Sequence, residues 1–295
     1  MIRPSHRTLQ PSTPRIIGAR ALSLAGIAAL ALSALAVLPA QAQTPDSLQS
    51  TWILPYPNED PMAIANVQMV PASSSNSATA FGADWGVAYA STYFQERARG
   101  TDRSDGTATV GLGFGDARKW VGMEVAVMSL GTVRSFGRFT LNVKAHRRLP
   151  GRAAVAVGIE HAAIIGYTDS HRSVFGVATK QFTFRDSPKD WFSSLTASLG
   201  AGNGRYVSDK DWKAKNYDRV NAFGSVSMRV AEPMAFVADW TGQDLVLGLS
   251  LVPFKKIPLV ISPAFADVMR IANHEPRFVL AAGVASYVPN LFSWR

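Results

Sequence analysis

The chain has 295 residues, 30 of them Lys or Arg against 21 Asp or Glu, and no cysteine. The missing cysteines exclude disulfides, a cysteine-ligated metal and a lipid-modified N-terminal cysteine. The excess of base is scattered, with no dense stripe interleaved with aromatics, which argues against nucleic acid as a partner.

Residues 1–42 carry Arg3, Arg7, Arg15 and Arg20 and no acid. The apolar run "ALSLAGIAALALSALAVL" follows, then "PAQA" with Ala40 and Ala42 at a small-x-small spacing. The run, at ~18 residues, is almost long enough to span a bilayer. Its Ala/Ser richness and the adjoining cleavage pattern favour a secretory signal, leaving a mature chain that begins near Gln43. Residues 43–78, with several prolines and the run "PASSSNSA", read as an irregular periplasmic lead-in or a partial plug.

Beyond that point no uninterrupted stretch of ~20 apolar residues exists, and period-two alternation takes over. In "AFGADWGVAYASTYF" (80–94), Phe81, Trp85, Val87, Tyr89 and Tyr93 share one face and Gly82, Asp84, Gly86, Ala88 and Thr92 the other. In "GLGFGDARKWVGMEVAV" (111–127) and the residues before it, Val110, Leu112 and Phe114 oppose Thr109, Gly111, Gly113 and Gly115. After a charged break, Val121, Met123, Val125 and Val127 oppose Gly122, Glu124 and Ala126. Alternation at about 180° per residue is the strand signal.

Nine further segments follow: "RFTLNVKAH", "AVAVGIEH", "SVFGVATK", "SLTASLGAG", "VNAFGSVSMRV", "MAFVADW", "LVLGLSLV", "PLVISPAFA" and "RFVLAAGVASYV". That makes about twelve strands. Pro263 inside the eleventh predicts a bulge or a lumen-side irregularity, because proline removes a ladder donor.

A soluble sheet turns its apolar face to a core and a charged face to water. Here the second face is mainly Gly, Ala, Ser and Thr with sparse charges. A membrane barrel inverts the arrangement, apolar positions meeting lipid and small or polar ones lining the lumen. Closing the sheet also pairs every backbone donor and acceptor inside hydrocarbon. Connections alternate to match. The short set is 116–119, 149–152, 184–190, 231–233 and 253–257; the longer set is 95–105, 129–135, 162–172, 203–219, 241–244 and 268–275.

Taken together, the leader, the ten-residue dyad strands, the aromatics at strand ends and the asymmetric loops resemble bacterial outer-membrane β-barrel proteins over residues 79–289. The resemblance is one of pattern, and no particular family is recognised by motif. It implies an all-β fold, a transmembrane antiparallel up-and-down β-barrel, in the bacterial outer membrane. Its implied partners are outer-membrane lipid and lipopolysaccharide, the barrel-assembly machinery and small solutes. The last strand is similar to the C-terminal assembly strand of such proteins, but the chain runs on through "PNLFSWR". Either Tyr287 or Trp294 is then the terminal aromatic, with 290–295 a tail.

Chemistry-bearing motifs are few. "GLGFG" and "GAGNG" have no helix pattern behind them to bind a phosphate and read as lumen glycines. "HRS" sets His171 and Ser173 two apart, as in outer-membrane phospholipases, without the asparagine that orients the imidazole. His146, His161, His171 and His274 have no metal-ligand spacing, so neither a metal nor another cofactor is expected. "TGQD" (241–244) reads as a tight outer turn.

The expected lumen-facing charges are Asp84, Glu124, Arg138, Lys144, His146, Glu160 and Asp239. On the fourth strand Arg138, Thr140, Asn142, Lys144 and His146 form one polar face, with Glu124 and Glu160 on the flanking strands. A buried charge is costly unless paired, so a Glu124–Lys144–Glu160 cluster bracing the wall is favoured over a charged ring that selects solutes. The function expected is a passive channel or a structural component. A lipid hydrolase, the barrel of an export or assembly system and a secreted soluble β-protein are the alternatives.

Overall fold

The computed structural model describes residues 71–98, 103–130, 138–166, 170–254, 257–271 and 275–287. The leader, residues 43–70, His274 and the segment from 288 onward, Trp294 included, lie outside the described residues. Twelve strands form one closed barrel. They are β1 Val87–Gln95, β2 Asp105–Gly115, β3 Gly122–Leu130, β4 Phe139–Leu149, β5 Ala153–Ile165 and β6 Ser173–Thr183. The second half is β7 Ser194–Gly202, β8 Asn221–Ala231, β9 Met234–Trp240, β10 Leu245–Leu251, β11 Leu259–Ala266 and β12 Arg277–Tyr287. Each pairs antiparallel with its chain neighbours, and β1 closes the ring on β12, Val87 opposite Tyr287.

Alternation sorts the side chains as a barrel wall requires. Val110, Met123, Val127, Val155, Val157, Ile159, Leu199 and Val226 stand exposed on the outside. Their neighbours Thr109, Glu124, Ala126, Ala154, Ala156, Ser198 and Ser225 are buried on the inside. At the end carrying the shorter connections, Trp85 and Trp120 beside β1–β3 and Phe184, Trp191 and Phe192 between β6 and β7 are exposed aromatics, the composition of an interfacial girdle.

The lumen glycines have a packing role. Gly111 lies opposite Tyr89, Gly158 opposite Phe175 and Gly200 opposite Phe223. In each pair the ring occupies the space that a Cβ on the glycine would need. Inward aromatics therefore lie flat over glycine on the next strand, a cross-strand pairing that fills a narrow interior.

Three features depart from the sequence pattern or go beyond it. First, β1 begins only at Val87, so residues 80–86 are not strand. Its faces are also reversed: Val87 and Tyr89 are buried inside the barrel and Phe94 is exposed. Period two says that faces alternate, and the Gly111 site then draws the Tyr89 ring inward. Second, Pro263 makes no bulge. The β10–β11 pairs keep one register on either side of it, Gly248 with Ala264 and Leu251 with Ile261, while the pairs between them are missing. The donorless nitrogen faces β10, whereas Pro263 stays paired with Leu280 on β12. Third, the long 203–220 connection is structured, with a 3-10 turn at Gly204–Tyr206 and helix α1 at Asp209–Lys213. Ser208 caps α1 by accepting from the Asp211 amide, and Asp209 pairs with Lys213 one turn on.

The register does shift elsewhere, between β4 and β5 across Leu141/Val143 and between β8 and β9 across Arg229/Ala231; the first of these holds His161. His161, at φ 55°, donates its amide to Asn142 Oδ1 there (2.9 Å).

Candidate functional site

Residues 71–86 run through the lumen as a hairpin-shaped segment outside the sheet. The first limb rises from the short-connection end: the Ala72 amide donates to Ser250 Oγ (2.8 Å) and Ser227 Oγ to the Ala72 carbonyl (3.0 Å). Its tip, Ser74–Ser77, lies at the level of Asp239, beside the outer turn 241–244. The second limb returns past Thr179, whose Oγ1 accepts from the Ala80 amide (2.8 Å). It leaves at the short-connection end through Trp85, whose amide donates to the Gly115 carbonyl (2.9 Å). Ala72, Ser73, Ser74, Ser77, Thr79, Ala80, Phe81 and Ala83 are all buried.

The tip is held by a wholly buried carboxylate. Asp239 Oδ2 accepts from Ser74 Oγ (2.6 Å) and from the amides of Ser75 (2.9 Å), Asn76 (2.7 Å) and Ser77 (2.9 Å). Its Oδ1 accepts from Ser77 Oγ. Charge-assisted bonds are about twice as strong as neutral ones, so five on one group make a firm hold. On the other side of the tip Arg205 donates to the Asn76 carbonyl (3.0 Å). Arg205 also forms a two-nitrogen ion pair with Glu160 and lies over the Tyr206 ring. Burial alone would favour its discharged form, but Glu160 and the surrounding groups raise its pKa above the ordinary value. Burial likewise pushes the Tyr206 phenol well above its usual range, so it remains neutral. Tyr206 stacks on Phe223 (centroids 4.0 Å apart), with Phe175 edge-on to both. Ala78, Ala80 and Phe81 pack on this aromatic wall.

The lower limb is tied differently. Glu124 and Lys144 are directly opposite on β3 and β4, Nζ to Oε2 3.3 Å, both buried. Lys144 also donates to the Phe81 carbonyl (2.8 Å), and Glu124 accepts from the Ala83 amide (3.1 Å) and the Tyr89 hydroxyl (2.9 Å). Below them Asp84 binds His146 Nε2 (3.1 Å), Arg148 (3.4 Å) and the Ala117 amide (3.0 Å). A cavity of about 50 Å³ remains between Tyr89, Glu124, Asn142, Lys144, Glu160 and Phe175. It has room for a few waters.

Of the residues singled out from sequence, Glu124, Lys144 and Asp239 sit on the inner wall, and Glu160 is half-buried at the β4–β5 register shift. Asp84 reaches His146 from the threaded segment rather than from a strand. Arg138 stands just before β4, half-buried. Glu160 pairs with Arg205 instead of completing a cluster on Lys144. Arg148, one inward step beyond His146, was legible by the same period. Arg205 and Tyr206 were not, because a loop folding back into its own barrel leaves no periodic trace. Another group missed from sequence closes the outer end, where Arg277 pairs with Asp244 (2.9 Å) and lies 3.8 Å from Asp267. Ser173 and His171 are not arranged as nucleophile and base. Ser173 Oγ donates to the His171 carbonyl (3.3 Å) and accepts from the Arg205 amide (2.9 Å), while the His171 ring lies against Tyr217. Among the described residues no group of side chains is placed to hold a metal ion.

The class defined by this closed, outwardly apolar ring is that of the antiparallel up-and-down β-barrels. Two solved structures align with it. The outer membrane protein Omp33 of Acinetobacter baumannii matches at 11% identity and TM-score 0.34, over 68% of this chain and 96% of its own. Ail, the attachment invasion locus protein of Yersinia pestis, matches at 9% identity and TM-score 0.16, over 69% and 98%. Both pairings are loose, and the assignment rests on this chain's own strand order. No protein-family model matches the chain, and no curated protein does.

Proposed function

We propose that the protein is a bacterial outer-membrane barrel that rests closed, its lumen stoppered by residues 72–83. The observation that carries this reading is the buried segment itself, bonded to the inner wall from Ser250 up to Asp239 and back down to Lys144 and Glu124. The exposed apolar band and the exposed aromatics at one end support a place in lipid. The short-connection end then faces the periplasm and the 203–220 connection the exterior, in contact with lipopolysaccharide. Insertion would depend on the barrel-assembly machinery. The expected passive channel becomes a gated one, solutes passing only after the segment is withdrawn.

The test is electrical. The wild-type chain in planar bilayers is expected to pass no steady current. Ser74→Ala combined with Ser77→Ala removes two hydroxyl bonds to a buried charge. At about 1.5 kcal/mol each, that raises the open fraction on the order of a hundredfold. A wild-type barrel with large, stable conductance would overturn the closed reading.

A further inference from the structure

We propose that the upper lumen is a binding site for a neutral saccharide and that Ser74–Ser77 occupy it as an internal stand-in. The proposal rests on the closed-barrel reading and names what the site takes once the segment leaves.

Three features point to that ligand class. Ser74 and Ser77 place two hydroxyls on the two oxygens of one carboxylate, Asp239, which is how a vicinal diol of a sugar binds an acid. Across the same residues Arg205 presents a guanidinium to an uncharged acceptor, the Asn76 carbonyl. Beside them the stacked Tyr206 and Phe223, with Phe175, form an apolar wall against which Ala78, Ala80 and Phe81 of the segment pack. A carboxylate, a guanidinium and an aromatic face together suit a ring with hydroxyls on its edge and C–H bonds on its face.

Charge narrows the class further. A polyanion would meet Asp239 and Glu160 together with Asp244 and Asp267 at the same end, and a polycation would meet Arg205 and Arg277. A neutral, hydroxyl-rich ligand serves Asp239 and Arg205 alike. When the segment is withdrawn, Asp239 loses all five of its hydrogen bonds. A buried carboxylate without donors is costly, which favours a replacement ligand that brings its own. Withdrawal breaks no strand ladder, since residues 71–86 lie outside the sheet and both limbs leave by the short-connection end.

The experiment uses the full chain, with folding checked by heat-modifiable gel migration, and maltotriose as probe. In the Ser74→Ala/Ser77→Ala variant, maltotriose should reduce the bilayer current saturably. An uncharged polyethylene glycol of similar mass should reduce it only as viscosity does. Adding Asp239→Asn should raise the maltotriose concentration that halves the current at least tenfold, each variant being read against its own unblocked current. In the wild-type protein, saturating maltotriose should speed hydrogen exchange at the amides of residues 75–77, a reading that needs no variant. Maltotriose acting no better than the polymer, a block undiminished by Asp239→Asn, or unchanged exchange would overturn the saccharide site and leave the closed barrel standing. A conducting wild type would instead strike at the closed barrel itself.

Discussion

Glu124 and Asp239 are both carboxylates on the lumen wall, 5% and 0% exposed, yet they hold the threaded segment by different chemistry. Glu124 has Lys144 opposite it in the ladder and a tyrosine hydroxyl from β1. Its bond to the Ala83 amide is one among several, and the pair with Lys144 survives without it. Among the described residues, Asp239 takes every one of its hydrogen bonds from the segment tip. One acid braces the wall and happens to touch the segment; the other is satisfied only while the segment is present. A buried charge whose partners come from a removable element is a latch, because its satisfaction depends on position.

The sharpest way to break this contrast is Lys144→Gln. Removing one member of a buried pair leaves the other uncompensated, at about 3–5 kcal/mol. The barrel should lose its folded gel band at a markedly lower temperature. Normal heat stability, with a reversal potential shifted toward cations when Lys144→Gln is added to the conducting Ser74→Ala/Ser77→Ala variant, would make Lys144 a selectivity element instead of a brace.

A charge on the other side of the same wall supplies a control. Val157 is 63% exposed on β5, directly opposite Gly176. Val157→Arg should cost about 2–4 kcal/mol in lipid, falling toward the bilayer interfaces, and far less in detergent. Equal loss in both media would mean that this face does not meet hydrocarbon.

The smallest expected effect on stability comes from labelling, which fixes the end to which Asp239 belongs. The chain has no native cysteine. Cysteine at Lys213, in α1, should react with an impermeant thiol reagent on intact cells, whereas cysteine at Ser187, in a short connection, should not. Reversed labelling would invert the latch and the brace with respect to the membrane and leave the barrel intact.

Strand positions were legible in the sequence because a barrel wall imposes period two on every strand. β7 and β9 run over the residues that the alternation marks, 194–202 and 234–240. The opposition of Glu124 and Lys144 was legible for the same reason, since both lie a similar distance from their shared turn. Alternation alone could not assign the faces of β1, where the inward residues are Val and Tyr and the outward ones include Ala and Thr. Only the neighbouring strand, with Gly111 opposite Tyr89, decides which way the large side chain fits. The partner of Glu160 and the contents of the lumen were likewise decided by the tertiary fold. Asp239 and the serines it binds are more than 160 residues apart, and Arg205 reaches Glu160 from a loop. Such contacts leave no local pattern, because they follow from the closing of the ring and not from the conformation of any one segment.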